Sequence, residues 1–391
     1  MKDTAPTFDV CVRGRGAVGQ ALALSLARLG LRVALVAPPV ASQAGRPGAP
    51  DVRTYALGAR AVALLGQLRV WDALQAARPG AATRVTGMQI AGDAGGELAF
   101  SAWQQQVREL AWIVDAAALE RELATALRFA PHVTLTETPV SAALTAWCDG
   151  RDGAAHEALG IEVERVDYGH RAIAARLVCD RPHQGIARQW FRSPDVLALL
   201  PFDQDEQPGY GLVWSLPEAQ ADALMALGET DFEQALAEAT LGPSPHSIPA
   251  AGSPGRLALA GPRAAWSLRL ARATRWHGPG WVLLGDAAHV VHPLAGQGLN
   301  LGLADVDTLA RVIAERQQRE AWRSLGDERL LARYARERAA PTWLMGRVTD
   351  GLWQLFAQDN APLKELRNRG LSLVNRLPPL KRWLASQALQ G

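Results

Sequence analysis

The sequence predicts an α/β fold organised around a Rossmann-like nucleotide-binding unit, and two stretches carry that prediction. Near the start, a short apolar strand from Phe8 to Val12 runs into Gly14-Arg15-Gly16-Ala17-Val18-Gly19, then a helical run from Ala21 to Leu29 and a second strand from Arg32 to Val36. This is a βαβ unit whose glycines are spaced for a tight turn, a close approach of backbone to a diphosphate, and packing of helix on strand. Far downstream, Trp281 to Asp305 (WVLLGDAAHVVHPLAGQGLNLGLAD) holds a buried-strand signal and then a Gly285-Asp286 turn at the C-terminal end of that strand. Open α/β sheets bind ligands at such ends. Gly296-Gln297-Gly298 then leads into a helical pattern from Leu299 to Val312, and the free N–H groups of that helix start suit an electron-rich edge. At 391 residues the chain exceeds one simple core, so it forms either two interleaved lobes or one α/β domain with a large insertion.

The segments between follow in order. Asp51 to Leu74 reads as a loop leading into a helix, with Leu57, Val62, Leu64, Leu65 and Leu68 on the buried side. From Val85 to Ser101, two β-like runs flank Asp93-Ala94-Gly95-Gly96, a hairpin signal. Ala116 to Leu127 is an amphipathic helix, with Glu120 and Glu122 read as solvated charges. Ile161 to Trp214 alternates strand-like runs with turns and predicts a sheet forming a ligand wall. Glu218 to Met225 and Asp231 to Thr240 read as covering helices, and Ala264 to Trp276 as a strand leading back to the central motif. Beyond Asp305 the pattern is helical, over Ala304 to Arg319, Asp327 to Phe356 and two shorter pieces ending at Leu389. Apolar residues with basic flanks in that last part are compatible with a membrane-surface helix, but the favoured reading for any one segment is a helix packed on its own domain with a solvated basic face.

The run GDAAHVVHPLAGQGLNLGLAD resembles the second flavin-binding motif of the class A FAD-dependent aromatic hydroxylases, in particular the ubiquinone-biosynthesis (UbiH/UbiF/VisC-type) branch. The resemblance implies a p-hydroxybenzoate hydroxylase-like FAD-binding domain with an inserted β-sheet substrate domain and C-terminal helices. The expected division is residues 1–80, 103–160 and 275–330 for the discontinuous FAD-binding domain, 81–102 and 161–274 for the substrate domain, and 331–391 for the C-terminal helical region. It implies FAD as cofactor, with Gly14, Gly16 and Gly19 at its diphosphate and Arg53 reaching its phosphates. Asp286 would hold the ribityl chain, with Pro293, Gly296, Gln297, Gly298, Leu299 and Asn300 along the flavin ring. His183, Gln189, Trp190, Pro201 and Phe202 resemble residues of the substrate wall. Two departures stand out: Ala37 occupies the place where an acidic residue ordinarily meets the adenosine ribose, and the GADGxxSxxR-like segment reads CDGRDGAAH, with Gly153 for the serine and His156 for the arginine. The electron donor, NAD(P)H or another, is left open by that change.

Hydrophobic residues make up 48% and charged residues 20% of the chain, an ordinary globular composition with no low-complexity block. A net charge of +2 without a basic run interleaved with aromatics gives nucleic acid no footing as a partner. Cys11, Cys148 and Cys179 lie far apart, which suits a reducing compartment and offers neither metal site nor disulfide framework. His289 and His292 stand three apart beside the glycine-rich elements and are not read as a metal pair. With no secretory core and no run long enough to span a bilayer, a cytoplasmic location is expected, with peripheral contact at the inner membrane face compatible with it.

The expected function is FAD-dependent monooxygenation, placing a hydroxyl on the ring of a polyprenylated phenol or quinol on the way to ubiquinone. Its partners are that small molecule, dioxygen and a quinone-biosynthesis complex. The flavin carries the chemistry, so no side chain is singled out as catalytic. The alternative is a degenerate, non-catalytic subunit or scaffold of such a complex, motivated by Ala37 and by the altered segment around Asp149.

Overall fold

The computed structural model describes residues 7–36, 51–92, 97–204, 207–240, 253–291 and 297–357. Strands that read as unbroken apolar runs form the central parallel sheet, because a strand covered on both faces has no polar side to show. Phe8–Arg13 pairs in parallel with Val33–Val36 on one side and Ala142–Trp147 on the other. Val133–Thr136 extends the sheet beyond Val33–Val36, and Trp281–Leu283 beyond Ala142–Trp147, with His277–Gly278 as an antiparallel edge. The helix Ala17–Arg28 packs between Ala116–Arg128 and Gln297–Arg319. Its Val18 lies in a notch made by two glycines: a Cβ on Gly302 would come within 2.6 Å of Val18, and one on Gly285 within 3.3 Å. The two stretches that announced the fold in the sequence are therefore locked together in space.

The second sheet runs in the order His289–Val290, Ala264–Ala273, Val163–Cys179, Gly209–Pro217, Asp195–Pro201, Ile186–Arg192, Gly87–Ala91 and Glu97–Ser101, with Leu257–Leu259 joined to Val163–Cys179. Gly87–Ala91 and Glu97–Ser101 are antiparallel, as the hairpin signal predicted; its turn, 93–96, lies outside the described residues. Successive side chains of these strands point to opposite faces. Ile173, Ala175, Leu197, Leu199, Trp214 and Leu216 are buried behind the sheet, under Phe232 and Leu236. The helices Glu218–Ala226 and Glu229–Thr240 supply that cover close to where they were expected. The alternate residues, among them Ala172, Ala174, Val196, Ala198, Val213 and Ser215, face a cavity.

A three-stranded sheet of Thr54–Leu57, Ala111–Asp115 and Ala82–Val85 stands between the two. Leu57, expected on a helix face, is the buried end of the first of these strands, and the helix begins only at Ala59. The C-terminal part is two long helices, Gln297–Arg319 and Glu328–Ala357. Ala37 and the expected short helices ending at Leu389 lie outside the described residues. No helix among the described residues is long and apolar enough to cross a membrane.

Candidate functional site

The glycine loop after the first strand shows why three glycines stand there. Gly14 has φ +115 and its α-carbon lies against the neighbouring strand end, so a Cβ would fall 2.2 Å from the Cys148 carbonyl oxygen. A Cβ on Gly19 would fall 2.0 Å from the Gly14 carbonyl oxygen, so this glycine lets the helix close on the strand. Gly16 is different: nothing lies within 4 Å of its missing Cβ, and it caps Ala17–Arg28 without a side chain while lining the cavity. The helix start therefore presents uncapped backbone N–H groups toward open space, which suits an anion.

Arg53 also lines the cavity, gripped by Asp51, with Nε 2.9 Å from Oδ1 and Nη2 2.6 Å from Oδ2. Glu120 stands 3.6 Å from the same guanidinium. That corrects its reading as a solvated charge: Glu120 is half-buried on the cavity wall, and burial pushes its carboxyl up in spite of Arg53.

The turn Gly285–Ala287 sets Asp286 on the cavity wall, and Gly285 takes φ +59, a conformation that favours glycine. Asp286 is an exposed residue on the cavity wall, and the protein packed around it raises its pKa by desolvation, eased by the charges of His289 and Arg151. Behind the turn is Asp305, fully buried on the long helix. It accepts from the Gly285 backbone N–H at 2.9 Å, from His289 Nε2 at 2.8 Å and from Arg338 Nε at 2.7 Å. Burial opposes its charge, but the His289 ring and the Arg338 guanidinium more than offset that and hold its carboxyl below the usual range. Arg338 also donates to the Leu301 carbonyl at 3.2 Å, and Tyr334 donates to the Leu283 carbonyl at 2.9 Å. The last described helix thus braces both the strand before Asp286 and the helix after it.

Gln297, Gly298, Leu299 and Asn300 all line the cavity. The helix begins at Gln297, earlier than the sequence pattern indicated, and Gly298 is an ordinary helical residue whose missing Cβ would meet nothing within 4 Å. Asn300 proves to be a tie between elements: its Oδ1 accepts from the Gly58 N–H at 2.9 Å and its Nδ2 donates to the Ala56 carbonyl at 2.7 Å. Pro293 and Gly296 lie outside the described residues.

The altered segment around Asp149 is integrated into the site. Asp149 turns inward to accept from the Ala155 N–H at 3.2 Å, and a Cβ on residue 153 would lie 2.2 Å from that carboxyl group. Glycine in place of the expected serine therefore leaves room for the turn. His156, in place of arginine, donates from Nε2 to the Ala287 carbonyl at 2.7 Å, so it fastens this segment to the Asp286 turn.

The opposite wall is the alternate face of the large sheet, enclosing a cavity of about 670 Å³, within the usual range for small-molecule sites. Of the wall residues expected from the resemblance, Gln189 lines the cavity. Trp190 packs into the core behind the sheet, and Phe202 is fully buried beside Val85 and Ile113. His183 donates to Asp203 at 2.8 Å and accepts from the Gly185 N–H, so it ties a loop together. Tyr55, Arg188 and Ser215 also line the cavity. Sequence spacing did not single them out, although the period-2 pattern of the strands could have placed Ser215 on the same face as Val213.

The donor set fits FAD. An uncapped helix start and an arginine stand where a diphosphate would lie, the Asp286 carboxylate on the cavity wall faces the place of a polyol, and an apolar floor adjoins a helix start where a flat ring would lie. Comparison with known proteins agrees. Residues 120–349 match the family described as FAD binding domain. The chain is 30% identical to 3-demethoxyubiquinol 3-hydroxylase of Escherichia coli (strain K12), over 97% of this chain and 98% of the relative. It is also 30% identical to the ubiquinone hydroxylase UbiL of Rhodospirillum rubrum, over 97% and 89% of the two chains. In structure it superimposes on p-nitrophenol 4-monooxygenase PnpA from Pseudomonas putida with a TM-score of 0.74 at 16% identity, covering 99% of each chain, which shows a shared fold. With the family match spanning more than half of its length and two relatives at 30% identity across nearly all of it, the chain belongs to the class A FAD-dependent aromatic-ring hydroxylases.

Proposed function

We propose that this enzyme hydroxylates the ring of a polyprenylated phenol or quinol in ubiquinone biosynthesis, a reading supported by two relatives matched over nearly their whole length, a 3-demethoxyubiquinol 3-hydroxylase and a ubiquinone hydroxylase. The observation that carries the reading is a cavity shared by the two sheets, with Gly16, Arg53 and Asp286 on one wall and the apolar face of Ala172, Val196 and Val213 on the other. Reduced FAD supplies the activation of dioxygen needed to place a hydroxyl on an electron-rich ring.

The chain's own residues bind, orient and shield. Gly14, Gly16 and Gly19 would shape the diphosphate cradle, and the Arg53 guanidinium, oriented by Asp51, would hold the phosphates. Asp286 would accept from ribityl hydroxyls. The N–H groups from Gln297 to Asn300, at a helix start on the cavity wall, would favour negative charge on a bound flavin. The apolar sheet face excludes water from the reacting ring. In this reading residues 1–80, 103–160 and 275–330 serve the flavin and 81–102 with 161–274 serve the substrate.

A tail of isoprene units is delivered from a lipid surface, so contact with the membrane is peripheral. The test is direct: the purified protein is yellow, and with a reductant and dioxygen it adds one oxygen atom to a short-chain prenylphenol, detected by mass. A flavin-loaded protein that oxidises no prenylphenol refutes the proposal.

A further inference from the structure

The cavity face of the large sheet is built from small side chains at its centre. Ala172, Ala174, Ala187 and Ala198 line it, flanked by Val196 and Val213, so the floor is apolar and leaves width for a substituted ring. Two neutral polar residues interrupt that floor. Gln189 is 6% exposed and Ser215 is 4% exposed, both line the cavity, and neither side chain has a hydrogen-bond partner among the described residues. Their polar atoms open onto the cavity rather than being sealed in the core, so a ligand that displaces water there must itself pair them or leave them costly and unpaired. The adjacent Arg188 differs, since its guanidinium donates to the Tyr210 hydroxyl and the Ile186 carbonyl.

Register fixes how the two stand. Gln189 pairs with Ala198, Ala198 with Val213, and Ser215 lies two residues beyond Val213 on the same face. Two strand spacings across and two residues along amount to roughly 12 Å between their α-carbons. An aromatic ring with oxygen substituents on opposite sides, each hydrogen bonded at roughly 2.7–3.0 Å, spans that interval once the side chains reach inward.

Resting on the hydroxylase reading, we infer that Gln189 and Ser215 are the positioning residues that recognise the neutral oxygen substituents of the substrate ring and so determine which oxygenated rings are accepted. Both side chains donate and accept, which matches a phenol hydroxyl or a methoxy oxygen. A carboxylate would call for a cation, and the arginine next to Gln189 is already engaged. A site built to hydrogen bond an oxygen discriminates strongly against the analogue that lacks it, because its buried polar group is then left unpaired.

The experiment compares the holoenzyme with Gln189→Met and Ser215→Ala, keeping Ser215→Thr as the hydroxyl-retaining control. The probes are a geranyl-substituted methoxyphenol and its analogue with hydrogen in place of the phenol hydroxyl. Binding is read from the change in flavin absorbance, and coupling from the ratio of hydroxylated product to hydrogen peroxide. The parent is expected to prefer the oxygenated ring by about tenfold or more. At least one of Gln189→Met and Ser215→Ala should reduce that preference by about three- to tenfold and shift turnover toward peroxide, with flavin content and the affinity for the deoxy analogue unchanged. Ser215→Thr should keep the parent preference. Unchanged preference in both variants overturns the assignment, and so does loss of preference that follows loss of flavin in every variant. A flavin-loaded parent that hydroxylates neither probe nor any other prenylphenol defeats the hydroxylase reading itself, which is a separate result.

Discussion

Replacing Arg338 by methionine tests whether the last helix braces the cofactor turn. The substitution keeps length and apolar stem and removes the guanidinium, so Asp305 loses its 2.7 Å partner and the Leu301 carbonyl loses a donor. Asp305 is completely buried, and Arg338 is nearly so. Removing one member of a buried ion pair costs roughly 3–5 kcal/mol, because a carboxylate is left in a medium that solvates it poorly. The lower end applies here, since the Gly285 N–H and His289 still donate to Asp305. With a urea m-value near the top of the usual range, about 3 kcal/mol/M, a loss of about 3 kcal/mol moves the unfolding midpoint of the apoprotein down by about 1 M. A second substitution, Asp305→Asn, removes the stranded charge and keeps an acceptor for Gly285, so the double variant should be more stable than Arg338→Met alone. A single variant within about 0.5 kcal/mol of the parent, or a double variant no better than the single, refutes the argument.

Two glycines should behave oppositely. Gly19→Ala puts a Cβ 2.0 Å from a backbone oxygen and is expected to yield little folded protein, whereas Gly298→Val meets only cavity and should fold with a normal circular dichroism spectrum yet purify without flavin. Asp286→Ala should weaken FAD by roughly 10- to 100-fold, the worth of about 1.5–3 kcal/mol of charge-assisted hydrogen bonding, measured by flavin titration. Because the folded protein raises the Asp286 pKa through desolvation, the same variant should leave the apoprotein at least as stable as the parent. Acid sensitivity follows from Asp305 and Asp115, where burial works against the charge but His289 and Arg338, and Arg176 and Arg78, hold the folded carboxyls below their ordinary value. Their contribution is complete above the unfolded value of about 3.9 and is lost as pH falls through the lower folded values, so unfolding free energy should decline steeply below about pH 4. Flotation with liposomes checks the peripheral membrane contact; no association with neutral or anionic vesicles would remove it.

Local patterns were sufficient for much of the fold. The first βαβ unit was legible because Gly14-Arg15-Gly16-Ala17-Val18-Gly19 sits between an apolar strand and a helix, a sequence order that few backbones satisfy. The Asp286 turn was legible for the same reason, and the covering helices Glu218–Ala226 and Glu229–Thr240 from their apolar spacing. These are interactions between residues a few positions apart, where period and turn chemistry decide the backbone.

What depends on packing between distant segments was settled only in three dimensions. Asp305 looks like the polar end of a motif, yet it is the buried acceptor for Gly285, His289 and Arg338, the last 33 residues along the chain. Asn300 looks like a ring contact, yet its side chain is consumed 242 and 244 residues away by Gly58 and Ala56. His156 and Gly153 read as losses from a motif, and the fold uses one to hold the Ala287 carbonyl and the other to admit Asp149. Glu120 reads as a solvated helix charge, and the approach of Arg53 makes it part of the cavity wall. A polar side chain carries no record in the sequence of which distant donor it will meet, because hydrogen bonding is short in range and its partners are brought within about 3 Å only when the sheets and helices close on one another.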